Sequence, residues 1–192
     1  LMVCPTNMRN ELNRLIDAEI RNAKAGKPAA IILKVNSLSD ANLIDKLYAA
    51  GAAGVKIDMV VRGIFCAEID RKKFKQPVKA ISIVDEYLEH SRVMIFHNLG
   101  KEKVYISSAD WMVRNLNHRV EAAIPITDPL IKQELIDIIH IQLRDNVKAR
   151  ILNSELANNY VPFTGKKKIR SQIETYHYLF RKNNITSEAS SN

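Results

Sequence analysis

Two short aliphatic runs, AAIILKV at 29–35 and VKIDMVV at 55–61, bracket a segment whose apolar residues recur at helical spacing, and no other feature restricts the fold as tightly. The order strand, helix, strand implies a right-handed crossover and parallel pairing. In open sheets of this kind ligands gather at the carboxyl ends of the parallel strands. Asn36 with Ser37, and Arg62 with Gly63, stand just past the two strands and are expected in one crevice.

The elements around this unit follow from the same patterning. Thr6 or Asn7 can cap a helix carrying Met8, Leu12, Leu15, Ile16, Ile20 and Ala23, which Gly26 and Pro28 stop. Ser37 and Asp40 have the spacing of a capping box before the second helix, and Gly51 and Gly54 end it. A charged loop fills 62–77 before a strand at 78–84. Runs at 93–96 and 103–107 flank HNLGKE, where Asn98 to Gly100 suits a hairpin turn. A helical turn is expected after Trp111, then a strand at 120–124 ending at Pro125. Asp128 and Pro129 open a helix whose stripe continues through Ile131, Leu135, Ile138, Ile139, Leu143, Val147 and Ile151. The remainder is polar and basic, and 183–192, closing on EASSN, is read as a disordered tail. The fold class is therefore α/β, a mixed β-sheet flanked by helices.

A chain of 192 residues with a 46% hydrophobic fraction fits one domain, assigned to 1–182. No window approaches the roughly 18 consecutive apolar residues of a membrane span, and no signal peptide opens the chain. It reads as soluble, with no transmembrane segment. Leu1 stands where an initiator methionine would, so a fragment of a longer chain is expected. Cys4 and Cys66 form neither CxxC nor a metal cluster, which suits a reducing cytoplasm. The net charge is +8, and residues 144–182 hold nine Lys/Arg against three Asp/Glu. That surplus favours an anionic partner, nucleic acid, phosphate polymer or acidic membrane, although a solvated basic face is as common.

Several residues could carry chemistry. Arg62, at a strand end and followed by glycine, can present its planar fork to phosphate oxygens while backbone N–H groups approach closely, or it can pair with Glu68 or Asp85. His90, in the polar stretch EHSR that interrupts an apolar pattern, can move protons or attack phosphorus. Glu89 or another carboxylate would set its tautomer while Arg92 holds an anion beside it. In YISSADWMVRNLNHRVE, Ser107 and Ser108 can donate to phosphate, Asp110 reads as a helix cap, Trp111 as a packing anchor, and Arg119 as facing either crevice or solvent. Lys34, in an aliphatic strand, is costly to bury unless paired, with Asp58 its structural partner, or bound to an anion. GKKKIR at 165–170 is a charge run for which a solvated face is the commoner fate. His97, His118, His140 and His177 lack metal spacing, and no Walker loop, GxGxxG or zinc signature occurs.

The series LKVNSLSD, VRGIFC, SIVDEYLEHSR, VYISSADWMVRNLNHRVEAAIPI and DNVKAR resembles the C-terminal region of bacterial polyphosphate kinases over residues 1–170. That family is similar in fold to the phospholipase D superfamily, in which two halves each supply a histidine. ISSADWMVRN resembles the superfamily's Ser/Asn segment and EHSR its histidine motif, with Arg92 in place of the usual lysine. The resemblance implies ATP, ADP and inorganic polyphosphate as partners, Mg2+ as cofactor, and a histidine of an upstream domain that carries the terminal phosphoryl of ATP to the polymer. It casts His90 as the second active-site histidine, with Arg62 and Arg119, and beside them Lys34 and Arg92, holding phosphates. Upstream domains would bring the magnesium ligands, so the chain alone is expected to be inactive. Family members are similar in forming oligomers and sometimes lying against membranes. Two rivals stand beside this reading: a phospholipase D-like phosphodiesterase or nuclease using His90 as nucleophile, and a non-catalytic polyanion-binding module.

Overall fold

A computed structural model of the chain describes residues 1–155, 157–165 and 167–189, with side chains described to residue 184. The strands are β1 (Met2–Cys4), β2 (Ala30–Val35), β3 (Lys56–Val61), β4 (Lys79–Ile83), β5 (Val93–Phe96), β6 (Lys103–Ser107), β7 (Glu121–Ile126) and β8 (Ala149–Ile151). They form one mixed sheet in the order β1-β7-β6-β5-β2-β3-β4-β8. The three neighbouring strands β2, β3 and β4 run parallel, and every other pair is antiparallel.

Side-chain alternation in β2 separates two layers. Ile31, Leu33 and Val35 enter a core closed by α1 (Met8–Lys24) and α2 (Ala41–Ala53) through Leu12, Ile16, Leu43 and Leu47. Ile32 points the other way, with Val93, Ile95 and Val104, against Ile139 of α3 (Pro129–Leu143). A fully buried aliphatic side chain contributes about 1.5–3 kcal/mol, so these two apolar layers fix which face each strand shows. Trp111 is 1% exposed in the larger core, as a packing anchor should be. No helix among the described residues is long and apolar enough to cross a membrane.

In the fold itself the structure departs from the sequence reading in several places, among them an unpredicted β1. Asp40, not Ser37, caps α2, its carboxylate accepting the Leu43 N–H at 3.0 Å and pairing with Arg9 at 2.8 Å. Pro125 lies within β7 opposite Tyr105, because β1 covers β7 only as far as Ala123 and no ladder N–H is needed beyond it. The stripe predicted to run to Ile151 ends with α3 at Leu143. Asp145 Oδ1 there accepts the N–H groups of Val147, Lys148 and Ala149, turning the chain into β8. Finally, a helix missed in the polar remainder, α4 (Ser171–Ala189), takes in 183–189 of the expected tail, while 190–192 lie outside the described residues. Contact with α3, through Tyr178 to Asp137 and Lys182 to Glu134, supports a helix that polar composition disguised.

Candidate functional site

Because β2 and β3 are parallel and in register, the chain leaves both strands side by side at Asn36 and Arg62. Antiparallel β5 begins at the same end, opposite Lys34, which brings in Arg92 and His90. The end of β6 and the start of β7 add Ser108, Arg114, Asn115, Arg119 and Glu121. The result is a cleft of about 350 Å3 at the carboxyl ends of the parallel strands, and it contains both predicted strand-end pairs except Gly63. Gly63 serves the crossing itself. Its N–H donates to Asn36 O at 2.7 Å, and a Cβ there would stand 3.0 Å from that oxygen.

The cleft is organised around Asp110, 5% exposed. Its Oδ1 accepts the backbone N–H groups of Asn36 at 2.8 Å and Ser37 at 3.1 Å, so it caps no helix and instead ties the end of β2 to the 107–111 segment. Arg92 Nε and Nη2 donate to the two carboxylate oxygens at 3.2 and 3.1 Å. Burial works against ionisation of Asp110, but the Arg92 pair and the two backbone donors outweigh it and hold the carboxyl below the usual carboxylate range. Arg92 in turn donates to His90 O at 3.2 Å and lies 3.4 Å from His90 Nδ1. It thus supports the histidine rather than standing free beside it. No α-helix begins at Asp110; the segment after Trp111 is a single π turn, Arg114–His118.

Arg62 makes neither of its two candidate ion pairs. Its Nε and Nη2 each lie 3.2 Å from Asn36 Oδ1, whereas Asp85 is held by Arg170 and Lys148, and Glu68 stands 3.9 Å from Arg71. Arg114 and Arg119 line the same cleft, and among the described residues none of these three arginines has a carboxylate partner. Glu121 is engaged by Ser108 Oγ and by Asn115 Nδ2, the latter at 2.7 Å. Ser107 bonds to backbone carbonyls, leaving Ser108 as the hydroxyl of that pair on the cleft. Both cleft carboxylates are therefore committed to protein donors. Among the described residues no group of three His, Cys, Asp or Glu side chains could hold a metal, and the two carboxylates on the cleft are taken by Arg92, Ser108 and Asn115.

Lys34 does not line the cleft. Its side chain, 2% exposed, turns to the α3 side of the sheet, where Nζ lies 2.6 Å from Glu89 Oε2. Burial draws the ammonium below its ordinary value, and the Glu89 charge opposes that. Asp58, the expected partner, pairs with Lys56 at 3.4 Å. Glu89 is thereby turned away from His90 and does not set its tautomer. In the basic run, Lys167 pairs with Glu174 and Arg170 with Asp85 and Glu86, while Lys166 lies outside the described residues. Sequence reasoning named the segments of Arg114, Asn115 and Glu121 without assigning them to the cleft. The signal was their position at the ends of two neighbouring strands.

The model of one protein family, described as polyphosphate kinase C-terminal domain 2, matches residues 1–172. The chain belongs to that family. Polyphosphate kinase of Vibrio parahaemolyticus serotype O3:K6 is 51% identical over 179 residues, covering 93% of this chain and 26% of that protein. The polyphosphate kinase of Escherichia coli K12 is 48% identical over the same shares. The chain therefore spans 26% of the length of these relatives. The crystal structure of polyphosphate kinase from Porphyromonas gingivalis superposes with a TM-score of 0.92 at 47% identity, over 96% of this chain and 28% of that one. Nuc from Salmonella typhimurium, a phospholipase D family member, superposes at 0.56 and 14% identity over 80% of this chain and 97% of its own, a likeness of fold alone. The mixed sheet with flanking helices is thus the phospholipase D-like fold, in a polyphosphate kinase domain.

Proposed function

We propose that this domain forms one wall of the active site of a polyphosphate kinase, which reversibly transfers the terminal phosphoryl of ATP to inorganic polyphosphate. The observation that carries the reading is the convergence of Arg62, Arg114 and Arg119, without carboxylate partners among the described residues, around an exposed His90. A phosphate-rich substrate supplies the negative charge such a cleft lacks, and phosphoryl transfer is accelerated chiefly by positioning and charge stabilisation. In the proposed sequence the bond from the terminal phosphorus to the ADP oxygen breaks as a bond to a histidine nitrogen of an upstream domain forms. That phosphorus–nitrogen bond then breaks as the terminal oxygen of the polymer attacks. His90 donates and accepts the proton of the phosphate oxygens, Arg62 and Arg119 hold nucleotide or polymer, and Arg92 holds His90 in place.

Magnesium, which would neutralise phosphate charge, is assigned to residues outside this chain, since Asp110 and Glu121 are both engaged. The upstream domains and further copies of the polypeptide are its proposed protein partners, and a cytoplasmic setting suits its two free cysteines. The test is ATP-dependent polyphosphate synthesis by the full-length polypeptide, wild type against His90→Ala. A proton-transferring histidine should cost roughly a hundredfold or more in rate when removed. Undiminished synthesis by the variant sinks the role of His90, and phosphodiester hydrolysis by this chain would favour the nuclease-like alternative instead.

A further inference from the structure

The segment between β4 and β5, which carries His90, has no regular secondary structure, yet almost every charged side chain in it is fastened. The fastening comes largely from one place, the start of α4. Arg170 donates from Nε and Nη2 to both oxygens of Asp85, each at 2.8 Å, and reaches Glu86 at 3.1 Å. Gln172 Oε1 accepts the Tyr87 N–H at 3.0 Å, while its Nε2 donates to Tyr87 O at 2.8 Å and lies 3.1 Å from Glu89 Oε1. The other oxygen of Glu89 is held by the buried Lys34 at 2.6 Å and by Gln142 of α3 at 2.9 Å. The start of α4 is itself pinned, because the Ser171 N–H donates to Asp145 Oδ2 at 2.7 Å.

From this geometry we infer that the Arg170–Gln172 segment, acting with the Lys34–Glu89 pair, is a clamp that positions His90, rather than a surface helix start. The inference rests on the reading of His90 as a proton-transferring group. Glu89 and Arg92 flank the histidine, Glu89 fixed by α4, α3 and β2, and Arg92 by Asp110, so the backbone on both sides is immobilised while the imidazole stays exposed. A side chain that transfers protons must be held to a fraction of an ångström, and a displacement of about 1 Å can cost two orders of magnitude in rate. Amide and guanidinium donors suit this task, since both hold planar acceptors in fixed directions. Lys34 thus acts through Glu89, and Gln172 through Glu89 and the backbone of Tyr87. They are positioning residues.

A catalytic double-mutant cycle in the full-length polypeptide tests this. Gln172→Ala removes three hydrogen bonds to the loop from a half-buried helix start. Polyphosphate synthesis should show kcat lowered roughly ten- to a hundredfold, KM for ATP within about twofold of wild type, and Tm little changed. Against a His90→Ala background the same substitution should lower the residual rate by less than about twofold, because the clamp acts only through the histidine. Arg170→Gln serves as the second variant and should behave alike. An unchanged kcat in both variants, or an equal fall with and without His90, overturns the clamp. A wild-type rate in His90→Ala alone overturns the underlying reading, and the clamp with it.

Discussion

Asp110 is the residue on which the cleft depends most, because one carboxylate joins the end of β2, the Arg92 guanidinium and the 107–111 segment. Its folded-state pKa is depressed, so its contribution to stability is complete above the ordinary carboxyl range and is lost as pH falls through that range toward the folded value. Asp110→Asn keeps the shape but replaces one acceptor by a donor facing Arg92. A loss of about 1–3 kcal/mol at neutral pH is expected, as for other hydrogen bonds to charged groups. Urea melts at a series of pH values check the sign. Between about pH 5 and pH 3 the wild type should lose more stability than the variant, narrowing the gap between them. A gap that widens on acidification contradicts the assigned protonation. In the sequence this aspartate reads as a helix cap, since a carboxylate before an apolar turn is the ordinary signature of one. The backbone it ties down lies 73 and 74 positions away, at Ser37 and Asn36, and spacing along the chain carries no trace of that.

Among the elements, α2 shows how much of the fold was legible and where legibility stops. Its two glycines both read as helix ends, yet only Gly54, at φ 104°, is the left-handed C-cap. Gly51 lies inside the helix because Phe74, from the loop after β3, packs against it; a Cβ would stand 2.7 Å from the ring. Gly-to-Ala inside a helix ordinarily stabilises by about 0.5–1 kcal/mol. At position 51 the sign should reverse. Phe74 cannot retreat freely, since its ring packs on Tyr48 at a centroid distance of 6.0 Å. Gly51→Ala should therefore lower stability by about 1–3 kcal/mol, and Phe74→Leu in the same chain should recover part of it. Thermal melts of the wild type and the two variants decide, and a raised Tm for Gly51→Ala alone would refute the contact. Strands β2 to β7 were readable because local alternation and burial agree in them, whereas β1, β8 and α4 were not, α4 drawing its support from α3 and the histidine loop rather than from its own pattern.

At the scale of the whole molecule the question is which of its many cations meet the phosphates. The basic surplus is concentrated in 144–182, and composition alone would send an anionic polymer there. The structure shows much of that charge already spent on protein carboxylates, Lys167 on Glu174, Arg170 on Asp85 and Glu86, Lys182 on Glu134. Arg62, Arg114 and Arg119 of the cleft lack such partners among the described residues, and they stand where the sheet topology gathers its strand ends. Neutralising Lys167 and Lys168 to Gln should leave KM for ATP and the rate of polymer synthesis within about twofold, because exposed charges contribute little once screened by physiological salt. Arg119→Ala should instead raise KM roughly ten- to a hundredfold, the loss of one charge-assisted phosphate contact. Measuring both in the full-length polypeptide at low and at physiological salt separates a polymer held in a built cleft from one spread over a basic face. Collapse of polymer binding in the lysine double variant, with Arg119→Ala binding normally, would move the phosphate track from the cleft to the C-terminal surface.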